Sequence, residues 1–388
     1  MARRSRDRQN QLQHQLVQVE RRFLDSPLRE IGQMLARSIS EVHCSTEAGL
    51  TSLEHAESMS AYIAGVLERL PNSFGDRFTF DAQLIGTLAV EYSGAGVSLS
   101  TMLVPKPSET WGHQTVTMPS TDGKNAHAVD VLHLPGDDNP QDIDLLDYPF
   151  ICHELGHNIL FRNGDGFSTA FAEQLDANLV ATKRQTLGIR GSAKQVADQT
   201  ALEVRKFWSP TSDQFNWAHE IAVDVIAVWL CGPAYLAALQ DVMEASDLDP
   251  FQLGQSHPPY DVRARALIAV AGQLGWAYYA GGIHTLIEKW SSLARAPEKT
   301  NLHVACEDSG LVSGAVAAAL NACRSLSLPL CTPTRVQAVD EAQKNGEPVD
   351  FGTDLLIAAW ATHRRVTAAE YEIWEVLEVE RLLSEIKA

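Results

Sequence analysis

Apolar residues in the first 70 positions fall at helical spacing: Leu12, Leu16, Val19 and Phe23 are four, three and four apart, and a second run extends from Leu28 to Leu35. Ser26-Pro27 restarts the helix between them, and a further helix over Ser58 to Leu70 ends at Pro71-Asn72. From Phe78 to Val104 the texture changes to short alternating or β-branched runs (Phe78-Thr79-Phe80, Leu84 to Tyr92, Val97 to Val104), which predict a small sheet. Val129 to Leu134 is a further strand. After Pro135-Gly136 the helical period returns, predicting helices over 148–162, 168–187, 193–208, 212–240, 260–275, 281–294, 310–325 and 335–386. For the first of these, Asp147 is the expected N-cap, Pro149 fits the first turn and Asn163-Gly164 closes the helix. The fold class expected is α+β, mostly helical. Three parts are expected: a helical amino-terminal module over 1–75, a domain with the small sheet over 76–300 and a helical carboxy-terminal module over 301–388.

Composition narrows the function classes. Thirty-one Lys and Arg against 49 Asp and Glu give a formal charge of −18, which repels nucleic-acid backbones and anionic membrane surfaces at long range. Only the first 22 residues run the other way, where Arg3, Arg4, Arg6, Arg8, Arg21 and Arg22 outweigh Asp7 and Glu20. Nucleic-acid binding is therefore not expected except through that terminus. Six cysteines without a CxxC pair fit a reducing cytoplasm. No apolar stretch follows the basic terminus as a secretory signal would require. The apolar runs Ile221–Leu239 and Leu267–Ile283 are broken by Asp224, Gly232-Pro233 and four glycines, so they read as buried helices rather than membrane spans.

Inside the helix expected over 148–162 stands His153-Glu154-Leu155-Gly156-His157. Residues four apart share a helical face, so both imidazoles can reach one tetrahedral zinc ion while Glu154 addresses the water to be activated. Chance would produce this pattern roughly 0.03 times in such a chain. The metzincin continuation is excluded, because Leu160 and Asn163 stand where its Gly and third His belong. A third ligand is sought downstream. Glu220 and Asp224, one turn apart on a strongly apolar helix, are costly to bury without a partner. Glu220 as ligand with Asp224 bonded to a ligand histidine answers that cost. An internal ion pair with Arg263 is the alternative. Glu173 is a rival ligand, and His219 a weaker one that packs or caps locally.

HExxH, then ExxxD, then Ser256-His257-Pro258-Pro259-Tyr260-Asp261-Val262-Arg263 resembles, with its blocks in the same order, the gluzincin metallopeptidases of the heat-shock protease X and prenyl-protein endopeptidase type. The likeness covers about residues 125–270 and lacks that family's membrane-spanning helices. It implies a zincin-like catalytic domain, His153, His157 and Glu220 as zinc ligands, and Glu154 as general base. It also implies Asp224 behind a ligand histidine, with His257 and Arg263 shaping the site near the scissile carbonyl. A looser likeness, through HELGH and an acid-rich second helix, is to small cytosolic metallopeptidases that cleave phage or stress repressors.

Zinc in such a site brings the pKa of water toward about 7, and Glu154 would take that proton and return it to the leaving amine. His257, held before a helix start by two prolines, is the candidate to face the developing oxyanion, with Tyr260 and Tyr235 in reserve. Substrate could add as a strand along Val129–Leu134 if that strand is an edge. Asp137, Asp138, Asp142, Asp144 and Asp147 read as a solvated acidic loop, with a preference for basic substrates or an inhibitory loop as the alternative. Cys152 reads as core, and Trp276, Tyr278, Tyr279 and Trp290 as packing rather than an aromatic cage. The expected function is a zinc endopeptidase acting on protein or peptide. Its helical ends would dock a regulatory partner, in a stress or phage-defence setting. The alternative is a silent zinc-containing regulatory or scaffold protein.

Overall fold

A computed structural model describes, apart from isolated positions, residues 76–93, 103–108, 110–118, 127–136, 143–185, 204–209, 216–254, 257–293 and 308–387. The amino-terminal helices, the Arg-rich terminus, most of 193–208 and the acids Asp137, Asp138 and Asp142 lie outside the described residues. The described part is mostly helical with one three-stranded sheet. No helix among the described residues is long and apolar enough to cross a membrane.

The chain divides into two compact units, one including 100–143 and the other 87–99 with 144–384. Residues expected as strands at 78–80 and 84–92 instead form helix α1 (Asp76–Tyr92). Its buried positions explain the correction: Phe78, Asp81, Leu84, Ile85, Leu88 and Tyr92 recur at three- and four-residue spacing. That period outweighs the β preference of individual Ile, Thr and Val residues.

The sheet comprises β1 (Leu103–Ser108), β2 (Gly112–Met118) and β3 (His127–Pro135) in the order β1-β3-β2. β1 runs parallel to β3, with Val104 opposite Val131 and Ser108 opposite Pro135, and β2 runs antiparallel, with Thr115 opposite Asp130. The Gly136 N–H donates to the Ser108 carbonyl at 3.1 Å, so Ser108 and the residues two apart from it turn their backbone groups toward β3. Val129–Leu134 is thus the central strand, paired on both sides, and not the edge that strand addition needs. Buried Asp130 accepts from Thr115 Oγ1 at 2.5 Å and lies 3.2 Å from His113 Nε2.

The second unit is helical: α2 (Phe150–Asn163), α3 (Asp165–Gln185), α4 (Trp217–Cys231), α5 (Pro233–Ala245), α6 (Tyr260–Leu274), α7 (Gly281–Leu293), α8 (Ser309–Ser325), α9 (Pro333–Lys344), α10 (Thr353–His363) and α11 (Ala368–Lys387). A 3-10 turn, Ala277–Ala280, precedes α7. Residues 309–384, read from sequence as part of a separate module, share this unit. α4 is apolar nearly all round and sits at the middle, with α2, α8, α6 and α5 packed on it. Asn216 caps it, its side-chain oxygen accepting from Ala218 N at 3.0 Å and His219 N at 3.2 Å. The helix expected over 212–240 is two helices, because Gly232 takes φ +59° and Pro233 starts a new one. Similarly, 335–386 is three helices interrupted at 345–352 and 364–367. Asp147 provides no side-chain cap to α2; its carbonyl instead accepts from Phe150 N at 3.0 Å.

Candidate metal centre

Two helices bring the donors together. α2 and α4 cross with Gly156 against Val223, where an added Cβ would lie 3.0 Å from the valine Cβ and 3.3 Å from its Cα. The missing side chain allows the backbones to approach between His153 and His157. On α2 the period of 3.6 puts the two imidazoles on one face, their rings 5.0 Å apart and nearly perpendicular. On α4 the same face presents Glu220 and, one turn on, Asp224.

His153 Nε2 lies 3.6 Å from Glu220 Oε2, and His157 Nε2 lies 3.7 Å from Glu220 Oε1. Both separations are too long for hydrogen bonds. They approach the ~3.4 Å expected between donors arranged tetrahedrally around an ion with bonds near 2.1 Å. Glu220 Oε2 is buried without a hydrogen-bond partner among the described residues. Ligand atoms of all three residues lie within 4.8 Å of one another, so this buried group could hold a metal ion. Two imidazoles and a carboxylate suit several divalent first-row metals.

Behind His153, its Nδ1 stands 3.0 Å from Asp224 Oδ1. A carboxylate only accepts, so the Nδ1–H donates and Nε2 is the ring nitrogen directed toward Glu220. Arg263, from α6, clasps the same carboxylate, Nε to Oδ2 at 2.8 Å and Nη2 to Oδ1 at 2.6 Å. Tyr235, from α5, donates its hydroxyl to Asp224 Oδ1 at 2.5 Å and lies 3.0 Å from His153 Nδ1. The ion pair with Arg263 weighed from sequence therefore forms with Asp224.

Burial opposes every charge here, and neighbours reverse it. The His153 imidazolium, disfavoured by burial, is carried up to about 10 by its hydrogen bond to Asp224 and by the neighbouring carboxylates of Glu220, Asp224 and Glu154. Glu220, raised by burial, is brought down to about 2 by His157, His153 and His257. Burial likewise works against the Asp224 carboxylate, and Arg263 holds it well below the usual range.

Glu154 is buried on α2 beside the first histidine, 5% exposed. His257 has a side chain 65% exposed, with Nε2 3.7 Å from Glu220 Oε2. Its loop is tied to α4, Trp217 Nε1 donating to the Gly254 carbonyl at 2.9 Å. Glu173 is exposed on α3 and is not among the grouped donors. His219 lies against Phe167, rings 6.1 Å apart, and burial lowers its pKa. Cys152 is fully buried, bonded to Tyr92 Oη at 3.3 Å. Tyr235, held in reserve from sequence for the oxyanion, is instead directed at Asp224 and His153. No sequence period links it to them across the Gly232-Pro233 break. No protein-family model, curated protein or solved structure matches the chain.

Proposed function

We propose that this protein is a zinc-dependent endopeptidase of the gluzincin type, with a zincin-like catalytic domain working in the cytoplasm. The observation carrying the reading is the spacing of His153, His157 and Glu220, three buried donors too far apart to bond one another and close enough to share one ion. These residues would hold the metal. When bound, zinc supplies Lewis acidity toward a peptide carbonyl and lowers the pKa of water toward about 7. Glu154 would accept the proton from that water and pass it to the leaving amine. Asp224, gripped by Arg263 and Tyr235, fixes the tautomer and direction of His153. Exposed His257 would donate to the substrate carbonyl oxygen. Four free buried cysteines among the described residues agree with a reducing compartment. Ile373, Val376 and Leu377, exposed at helical spacing on α11, support a regulatory protein partner.

The test joins elemental analysis to cleavage of fluorescent casein. Wild type should carry about one zinc per chain, as a single three-residue site implies, and cut casein. Glu154→Gln should keep the zinc and lose cleavage by at least about a hundredfold. Full cleavage by Glu154→Gln would remove that residue as base. Zinc without cleavage of casein or of a peptide library would favour the silent regulatory protein, and no metal after zinc is supplied would end both readings.

A further inference from the structure

Trp276, Tyr278 and Tyr279 read from sequence as packing residues, and the structure divides them. Trp276 is buried, whereas Tyr278 is 80% exposed at the mouth of a cavity of about 770 Å³. That volume is in the range of small-molecule sites. The cavity lies in the helical unit between the 3-10 turn, α9 and α10, and shares no lining residue with the metal centre. One wall is aromatic: Tyr278 meets Tyr279 edge-on at 5.3 Å, and Tyr279 meets Trp360 edge-on at 5.2 Å.

The cations lining the cavity exclude an aromatic cage for a cationic ligand. Arg364 already occupies that position, its guanidinium carbon 5.0 Å from the Tyr279 ring centre and 5.1 Å from that of Trp360. Arg364 makes no ion pair among the described residues, so stacking orients the guanidinium while its N–H donors face no carboxylate. Lys344 and Arg365 also line the cavity, and both pair with its single carboxylate, Asp340, at 2.5 and 3.1 Å. Three cations against one carboxylate leave a local positive excess in a chain of formal charge −18.

We propose that this cavity binds a small anion bearing a flat ring, of the nucleoside-phosphate class, with the ring against Tyr278 and the phosphate on Arg364. The two features require both halves of such a ligand. An exposed tyrosine face offers stacking but no charge recognition, and a pre-oriented guanidinium offers bidentate recognition of phosphate. A polyanion without a ring would use only the second.

The experiment is calorimetric titration of the full chain with adenosine monophosphate, adenosine, tripolyphosphate and hexaglutamate. Adenosine monophosphate should bind, with the other three each at least about tenfold weaker. Its affinity should fall as salt rises. Arg364→Ala should weaken it at least about tenfold, and Tyr278→Ala, which truncates an exposed side chain and leaves the fold's interior untouched, at least about threefold. Thermal unfolding of each variant checks the fold, and Tyr278→Ala keeps the test open if Arg364→Ala is unstable. Absence of binding by adenosine monophosphate overturns the proposal. So does equal binding of tripolyphosphate or hexaglutamate, which would make this a nonselective anion patch, or unchanged affinity in a folded Arg364→Ala protein.

Discussion

Gly156 shows how much one absent methyl group decides. Val223 Cβ stands 3.0 Å from where an alanine Cβ would sit, and backbone follows at 3.3 Å, so Val223 or the helix crossing itself must give by a few tenths of an ångström. Gly156→Ala should cost about 1–3 kcal/mol by overpacking and weaken metal binding more than about tenfold, read by denaturant unfolding and by competition with a chelating dye. Wild-type affinity in that variant would show that the helices relax elsewhere. His153 gives a pH prediction with two opposite signs. In the metal-free protein its pKa is raised from 6.5 to about 10. Its contribution to stability is therefore complete below pH 6.5 and is lost as pH rises through about 10. Metal must displace that proton, so affinity should climb about tenfold per pH unit in the same window. A pH-independent affinity between pH 7 and 9 would contradict the protonated His153. The imidazole pair and the Glu220–Asp224 turn were legible because helical spacing is local. The hold of Tyr235 on Asp224 was not, since a helix break separates them and only tertiary packing aligns them.

At the scale of elements, α11 is fastened to the turn ahead of α2 by one carboxylate. Glu375 Oε1 accepts from Leu145 N at 2.7 Å and from Tyr371 Oη at 2.9 Å. Burial, together with Asp144 and Asp147, raises Glu375 to about 6, against hydrogen bonds from Leu145 and Tyr371 that lower it. Asp147 is also raised to about 6, by burial, Asp144 and Asp241. Because both folded values exceed the unfolded ones, the fold binds extra protons and loses stability as pH rises from about 4 to 6. Glu375→Gln keeps an acceptor for both donors and removes the charge. It should stabilise the protein at pH 7 by about 1 kcal/mol after allowance for solvent screening, with a smaller gain at pH 4.5. A loss of stability at pH 7 would mean the charge is needed. The element boundaries that sequence reading placed well, such as 260–274 and 309–325, have one dominant period. Residues 78–80 and 84–92 read as strands from sequence because β-branched side chains mask a helical stripe that is visible only when Phe78, Leu84, Leu88 and Tyr92 are counted together.

For the whole molecule, the grouped donors His153, His157 and Glu220 stand on both α2 and α4 in the middle of the helical unit, so a metal bound by them should add to global stability. At a thousandfold excess over the dissociation constant the gain is about 4 kcal/mol. Chelation should accordingly lower the melting temperature of wild type and leave that of Glu220→Ala unchanged. An equal drop in both would place the metal elsewhere. The sheet carries a different whole-molecule consequence. Ser108 turns its backbone toward β3, and so by alternation do Lys106 and Val104, which leaves Pro105 and Pro107 on the outer border of β1. Neither proline has an N–H, so that border can accept hydrogen bonds but cannot donate them at those positions. Growth of the sheet by another chain is disfavoured on that side by the two missing donors. Replacing both prolines with threonine should open that side and appear as concentration-dependent light scattering. Among the described strands, β1 is thus the border that offers fewer donors to an incoming chain, while β2 holds no proline between Gly112 and Met118.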